Sequence, residues 1–104
     1  MSYQPKGEIK NAIIKSISVR AGSSTVGFYV ELNYGGGLHQ SMVRGYDAES
    51  PEVGKFITGL CRVTEVRNLN DAVGKSVVTD SNLACVHGIS PILGGEWFAP
   101  EVAS

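Results

Sequence analysis

The chain has 104 residues, of which 42% are hydrophobic and 18% charged; this is enough for one domain (1–104) with one modest core, and it lies outside the composition of disordered chains. A net charge of −1 and a pI near 6.1 exclude a global field that would recruit nucleic acid or an anionic membrane. No apolar run approaches the roughly 20 residues of a membrane span, and Met1 to Glu8 lacks the apolar core of a signal peptide, so a soluble, cytoplasmic protein is expected.

Met1 to Gly7 reads as a loose entry. Ile9 to Arg20 reads as a strand with Ile9, Ile13, Ile17 and Val19 on one face, and Ile14 and Lys15 interrupt the alternation where a bulge would sit. Ala21 to Ser24 is a turn. From Val26 the apolar residues Val26, Phe28, Val30, Leu32 and Tyr34 fall on every second position, the period of a strand with one buried face. Gly35, Gly36 and Gly37 then allow positive φ without steric cost, which predicts a hairpin. The return run, Leu38 to Tyr46, puts Leu38, Gln40, Met42 and Arg44 on one face and His39, Ser41 and Val43 on the other. Polar residues on both faces fit a sheet edge or the border of a site.

The period then changes. Ser50, Pro51 and Glu52 form a helix start, with a capping hydroxyl, a proline at the first position and an acid against the positive helix end. Val53, Phe56, Ile57, Leu60 and Cys61 recur at three and four, and Gly54 and Gly59 weaken the helix enough that packing must hold it. A loop follows at 67–71 and a turn closes at Gly74. Lys75 to Thr79 and Leu83 to His87 are expected to form a second hairpin around Asp80, Ser81 and Asn82. Trp97 and Phe98 are expected to dock on the core and anchor the tail. The predicted fold class is α+β: an antiparallel sheet, made of a three-stranded meander plus a later hairpin, with one helix packed on it.

Few residues point to chemistry. Gly74, Lys75 and Ser76 spell the end of a phosphate-binding loop, but Leu69 stands where its first glycine belongs and a strand follows. His39 and His87 lack metal-ligand partners beyond Cys85, so no metal site is expected. Cys61 and Cys85 read as two buried thiols. No nucleophile, base and acid share a local motif, so no catalytic residue and no cofactor is expected, and the protein is read as a non-enzyme. What remains is a binding surface: backbone amides at Gly35, Gly36 and Gly37, with Tyr34, His39, Arg44 and Tyr46 supplying stacking and charge. The glycines serve equally as a plain tight turn. Lys6, Lys10, Lys15, Arg20 and Arg44 outnumber Glu8 and Glu31 in residues 1–44, which leaves room for a small basic patch.

The order of several pieces resembles a family of small, largely uncharacterised bacteriophage and prophage proteins. These pieces are Glu8-Ile9 with Ala12-Ile13, the run Leu32 to Gly36, Gly54 to Ile57, Gly74-Lys75, Ile92-Leu93, and Trp97, Phe98 and Pro100. The family's glycine-rich aromatic stretch after the turn is replaced here by Gln40 to Gly45, a tryptophan by Leu69, and a Gly-His pair by His87-Gly88. The resemblance implies a protein of the host bacterial cytoplasm that inhibits a component of antiviral defence by non-covalent binding of a host protein. Two alternatives are a sponge for a cyclic or dinucleotide defence signal, and a nucleic-acid accessory module of phage replication or recombination using Lys10, Lys15, Arg20 and Arg44. An exposed edge strand would also let two copies pair. Arg44→Glu is expected to alter the surface alone.

Overall fold

The computed structural model describes residues 3–100. Its elements are β1 (Glu8–Ala21), β2 (Thr25–Gly35), β3 (Leu38–Asp47), α1 (Pro51–Thr64), a short 3-10 turn (Leu69–Ala72), β4 (Ser76–Ser81) and β5 (Val86–Pro91). The fold is α+β: one antiparallel five-stranded sheet and one α-helix.

β2 follows its alternation, with Phe28, Val30 and Leu32 fully buried. The turn after it uses all three glycines at φ of 93°, 60° and 82°, and Gly35 pairs with Leu38 across it. β1 departs from its expected face. Ala12 and Ile14 point inward, whereas Ile9, Ile13 and Val19 are 48%, 49% and 52% exposed. The reason is that β1 serves two partners: residues 8–13 pair with β4 and 13–21 with β2. The register jumps between Ile14 and Ser16, so a bulge at Lys15 bends the strand between its two ladders and resets which side faces in. Ile17 rejoins the edge of the core beyond it.

The strand order is β3-β2-β1-β4-β5. The meander and the later hairpin are therefore not separate units; the β1–β4 ladder makes them one sheet. That sheet curls until its two edges meet. Gln40 Nε2 donates to Asn82 O at 2.7 Å, and Arg44 Nη2 to Val86 O at 2.9 Å. The contacts advance together along both chains, so β3 and β5 run side by side in the same sense. Side chains span the seam in place of a backbone ladder. The result is a partly open five-stranded barrel.

α1 closes one end of it. Ser50 Oγ accepts from Glu52 N, and Glu65 ends the helix in the left-handed region at φ 57°. Phe56, Leu60 and Val63 form the buried stripe, with Val53 and Ile57 at its margin. Phe56 stacks on Phe28 with ring centroids 4.2 Å apart, and Phe98 meets Phe56 edge-on at 5.3 Å. The two helix glycines have opposite roles. Nothing stands within 4 Å of a Cβ built at Gly54, whereas one at Gly59 would overlap the Phe98 ring. Gly54→Ala is therefore expected to stabilise by about 0.5–1 kcal/mol through helix propensity, and Gly59→Ala to destabilise by about 2 kcal/mol through overpacking. Urea unfolding of the two variants checks both signs.

The second hairpin is displaced from its expected place. Asp80 and Ser81 belong to β4, and Asp80 is fully buried; Leu83, Ala84 and Cys85 lie in the turn, and β5 runs on to Pro91. Of the three expected turn residues only Asn82 has that role: its Oδ1 accepts from Ala84 N and Cys85 N. Asp80 instead ties down the entry segment, accepting from Tyr3 Oη at 2.6 Å, Lys6 N at 2.8 Å and Gly7 N at 2.7 Å. At the other terminus Phe98 exchanges two backbone hydrogen bonds with Ile89, and Trp97 stacks on Tyr3 at 4.8 Å.

Candidate ligand-binding surface

The structure divides the expected site residues into two groups. Tyr34, Gly35, Gly36, Gly37 and His39 lie at or beside the barrel end opposite α1. Arg44 and Tyr46 do not join them at the surface: they are 5% and 6% exposed. Both lie on the inward parity of β3, where the curled sheet turns what looks like an edge strand into barrel wall. Tyr46 packs beside Phe28, ring centroids 6.3 Å apart. Arg44 donates to Val43 O, Val86 O and Pro100 O, holding the seam.

At the open end a cleft of about 370 Å³ is lined by residues of β1, β2, β3 and the β4–β5 turn, among them Lys10, Tyr34, Leu38, His39, Asn82 and Leu83. Tyr34 Oη donates to Gln40 Oε1 at 2.9 Å and lies 3.3 Å from Ser81 Oγ. Lys10 Nζ stands 5.2 Å from the centroid of the Tyr34 ring. Leu38 and Leu83 are exposed on either rim. Lys10, Ser81 and Asn82 were absent from the expected site because their elements are remote in sequence, and Gln40, beside His39, because its contact with Tyr34 and Asn82 depends on the curled sheet.

A second concave area lies on the outer face beside the β1–β2 turn, a groove of about 570 Å³ bordered by Arg20, Gly22, Gly27, Tyr29, Gly45 and Asp47. Gly27 and Gly45 pair directly across β2 and β3, leaving a strip of bare backbone. A Cβ at Gly27 would stand 3.2 Å from Tyr29 Cε1, so the glycine lets the tyrosine lie along the sheet. The Arg20 guanidinium covers that ring at 4.2 Å from its centroid, within cation–π range. Sequence alone offered one signal here: Tyr29 stands on the outward parity of a strand whose other face is apolar.

Cys85 and His87 bring together the parts of a nucleophile and base. Sγ lies 3.4 Å from His87 Nδ1, and His87 Nε2 lies 3.0 Å from Asn82 Nδ2. Because Asn82 Oδ1 already accepts two backbone amides, its Nδ2 faces His87; whenever the ring is neutral, Nε2 is then the acceptor and the ring proton sits on Nδ1, toward the sulfur. In that tautomer Nδ1, the nitrogen nearer the sulfur, carries the proton, and the ring's lone pair on Nε2 is engaged by Asn82. Both cysteines are free and half-buried rather than buried. Among the described residues no three His, Cys, Asp or Glu side chains cluster as a metal site, and no helix is long and apolar enough to cross a membrane.

The perturbed titratable groups are structural. Burial alone would push the Asp80 carboxyl up. The hydrogen bonds from Tyr3, Lys6 and Gly7, with the charge of His87, together outweigh that and hold it below the usual carboxylate value. Burial and the same contact with Asp80 push the Tyr3 phenol up. No family model, curated protein or solved structure matches the chain.

Proposed function

We propose that this protein binds single-stranded nucleic acid along the outer face of β1, β2 and β3, without chemistry of its own. The observation that carries this is the coincidence of connectivity and surface. The order β3-β2-β1-β4-β5, with the helix inserted between β3 and β4, is the connectivity of oligonucleotide- and oligosaccharide-binding barrels, which bind on the second and third strands and on the β1–β2 and β4–β5 loops. Here the stacked Arg20–Tyr29 pair lies beside the first of those loops, and the Lys10–Tyr34 cleft opens at the second. An aromatic ring, a guanidinium plane and a side-chain-free strip on the same face are what such a ligand needs, since every base has a π-face to stack.

The face mixes Arg20 and Lys15 with Glu31 and Asp47 and the whole chain is slightly acidic, so stacking rather than counterion release should dominate and the salt dependence should be shallow. Fluorescence anisotropy with a labelled single strand of about 12 nucleotides, within the site size of one such barrel, tests this. Tyr29→Ala and Arg20→Ala are each expected to weaken binding about tenfold, the value of one lost stacking partner. Absence of binding at about 100 μM, the weak limit of non-specific association, would refute it.

A second proposal has its own support. The cleft at the open end combines the Lys10 charge, the Tyr34 ring and two leucine rims, which suits a mononucleotide or dinucleotide signal. A rise in melting temperature with such a compound, lost in Lys10→Ala, would favour it. Inhibition of a host defence protein by non-covalent binding has the phage-family resemblance as its support.

A further inference from the structure

On the outer face, a hydroxyl, an ammonium and an imidazole from two strands converge on one carboxylate. Ser16 Oγ donates to Glu31 Oε1 at 3.2 Å, and Lys15 Nζ and His39 Nδ1 each lie 3.8 Å from Glu31 Oε2. Regular pleating does not place consecutive residues of one strand around the same point. The bulge in β1 does so here: it leaves Lys15 unpaired while Ser16 pairs with Glu31, and both residues are exposed. His39 comes from β3, two positions along from Ser41, the direct partner of Glu31, which is within diagonal reach across a pleated sheet.

We propose that Lys15, Ser16 and His39 form an oxyanion site for a phosphate group, and that Glu31 fills it in the free protein as an internal competitor. This deepens the nucleic-acid proposal by assigning one backbone phosphate to the middle of the face, between Tyr29 and the open end. The Glu31 side chain is 37% exposed and belongs to no other hydrogen bond or ion pair among the described residues, so it is free to swing outward when a phosphate enters. A phosphate oxygen can accept from the same hydroxyl, ammonium and imidazole groups. The carboxylate thus lowers affinity for every anion and sets a threshold that only a ligand anchored elsewhere on the face exceeds.

The test uses Glu31→Gln, which keeps the side chain's shape and removes its charge, with inorganic tripolyphosphate and a single-stranded oligothymidylate as separate probes. NMR titration of the full chain is expected to show tripolyphosphate binding about fivefold tighter in the variant, the effect of one unit charge at about 4 Å in water, with shifts confined to Lys15, Ser16 and His39. Adding Lys15→Gln should abolish the gain, while the unfolding midpoint stays unchanged, as for other surface substitutions. Equal or weaker tripolyphosphate binding in Glu31→Gln, or binding by neither protein, would overturn the site, whether or not the oligonucleotide binds. A fivefold gain for tripolyphosphate with no oligonucleotide binding would support the oxyanion site and remove the nucleic-acid reading instead.

Discussion

Arg44→Glu is expected to leave the protein unfolded at room temperature, and Arg44→Ala to lose about 3–4 kcal/mol, within the range for breaking a buried charged network. The guanidinium is nearly inaccessible and, among the described residues, its partners are the carbonyl oxygens of Val43, Val86 and Pro100. Hydrogen bonds from a charged donor contribute about 1.5–3 kcal/mol each, and two of these three cross between segments that share no ladder. Alanine would strand Val86 O and Pro100 O and open the seam between β3 and β5. Glutamate would add a negative charge facing three carbonyl oxygens. That combined cost is comparable with the whole stability of a small domain, about 5–15 kcal/mol. Lysine should recover only part of the loss, because one ammonium cannot reproduce the planar fork. Urea unfolding followed by circular dichroism measures all three; an Arg44→Ala variant within about 0.5 kcal/mol of the parent, the usual range for surface changes, would show that the seam does not depend on this residue.

What could be read from the chain in advance was what neighbouring residues determine among themselves. The alternation of β2, the glycine turn, the Ser50 cap and most of the helix stripe depend on contacts a few positions apart and stand where expected; the exception is Cys61, which is half-buried while Val63 enters the core in its place. The bulge near Lys15 was legible too, since Ile14 and Lys15 visibly break the pattern. Its consequence was not. Isoleucines at 9, 13 and 17 look like one buried face only if β1 has a single partner, and it has two. Arg44 and Asp80 were misplaced for a related reason. A charged residue in a strand suggests an edge or a turn until donors or acceptors from far along the chain satisfy it: Val86 lies 42 positions from Arg44, and Gly7 lies 73 from Asp80. The open-end cleft shows the same limit, since Tyr34 and His39 were recognised while Ser81, 47 positions from Tyr34, was not.

Asp80→Ala is expected to cost about 3 kcal/mol, because it leaves two backbone amides and the Tyr3 hydroxyl without an acceptor in a buried place. Asp80→Asn should cost nearly as much, since its amide group turns a donor toward one of those donors. The pH dependence gives a sharper test. In the unfolded chain the carboxyl titrates near 3.8, and in the folded protein lower. Around pH 4 the unfolded state therefore binds more protons than the native one, and stability rises with pH through that window. The contribution is complete above the unfolded value and is lost as pH falls through the folded one. Tyr3→Phe removes one of the three donors, so it should cost about 1 kcal/mol at neutral pH and shift the onset of acid unfolding to higher pH. Asp80→Asn should lack this component of the acid transition while keeping the background from exposed carboxylates. Because the three donors all precede β1, the same loss should release residues 3–7 first, seen as faster amide exchange at Lys6 and Gly7 before any change at Val30 or Leu32. An acid profile identical in the parent and Asp80→Asn would mean that this carboxylate does not hold the entry segment.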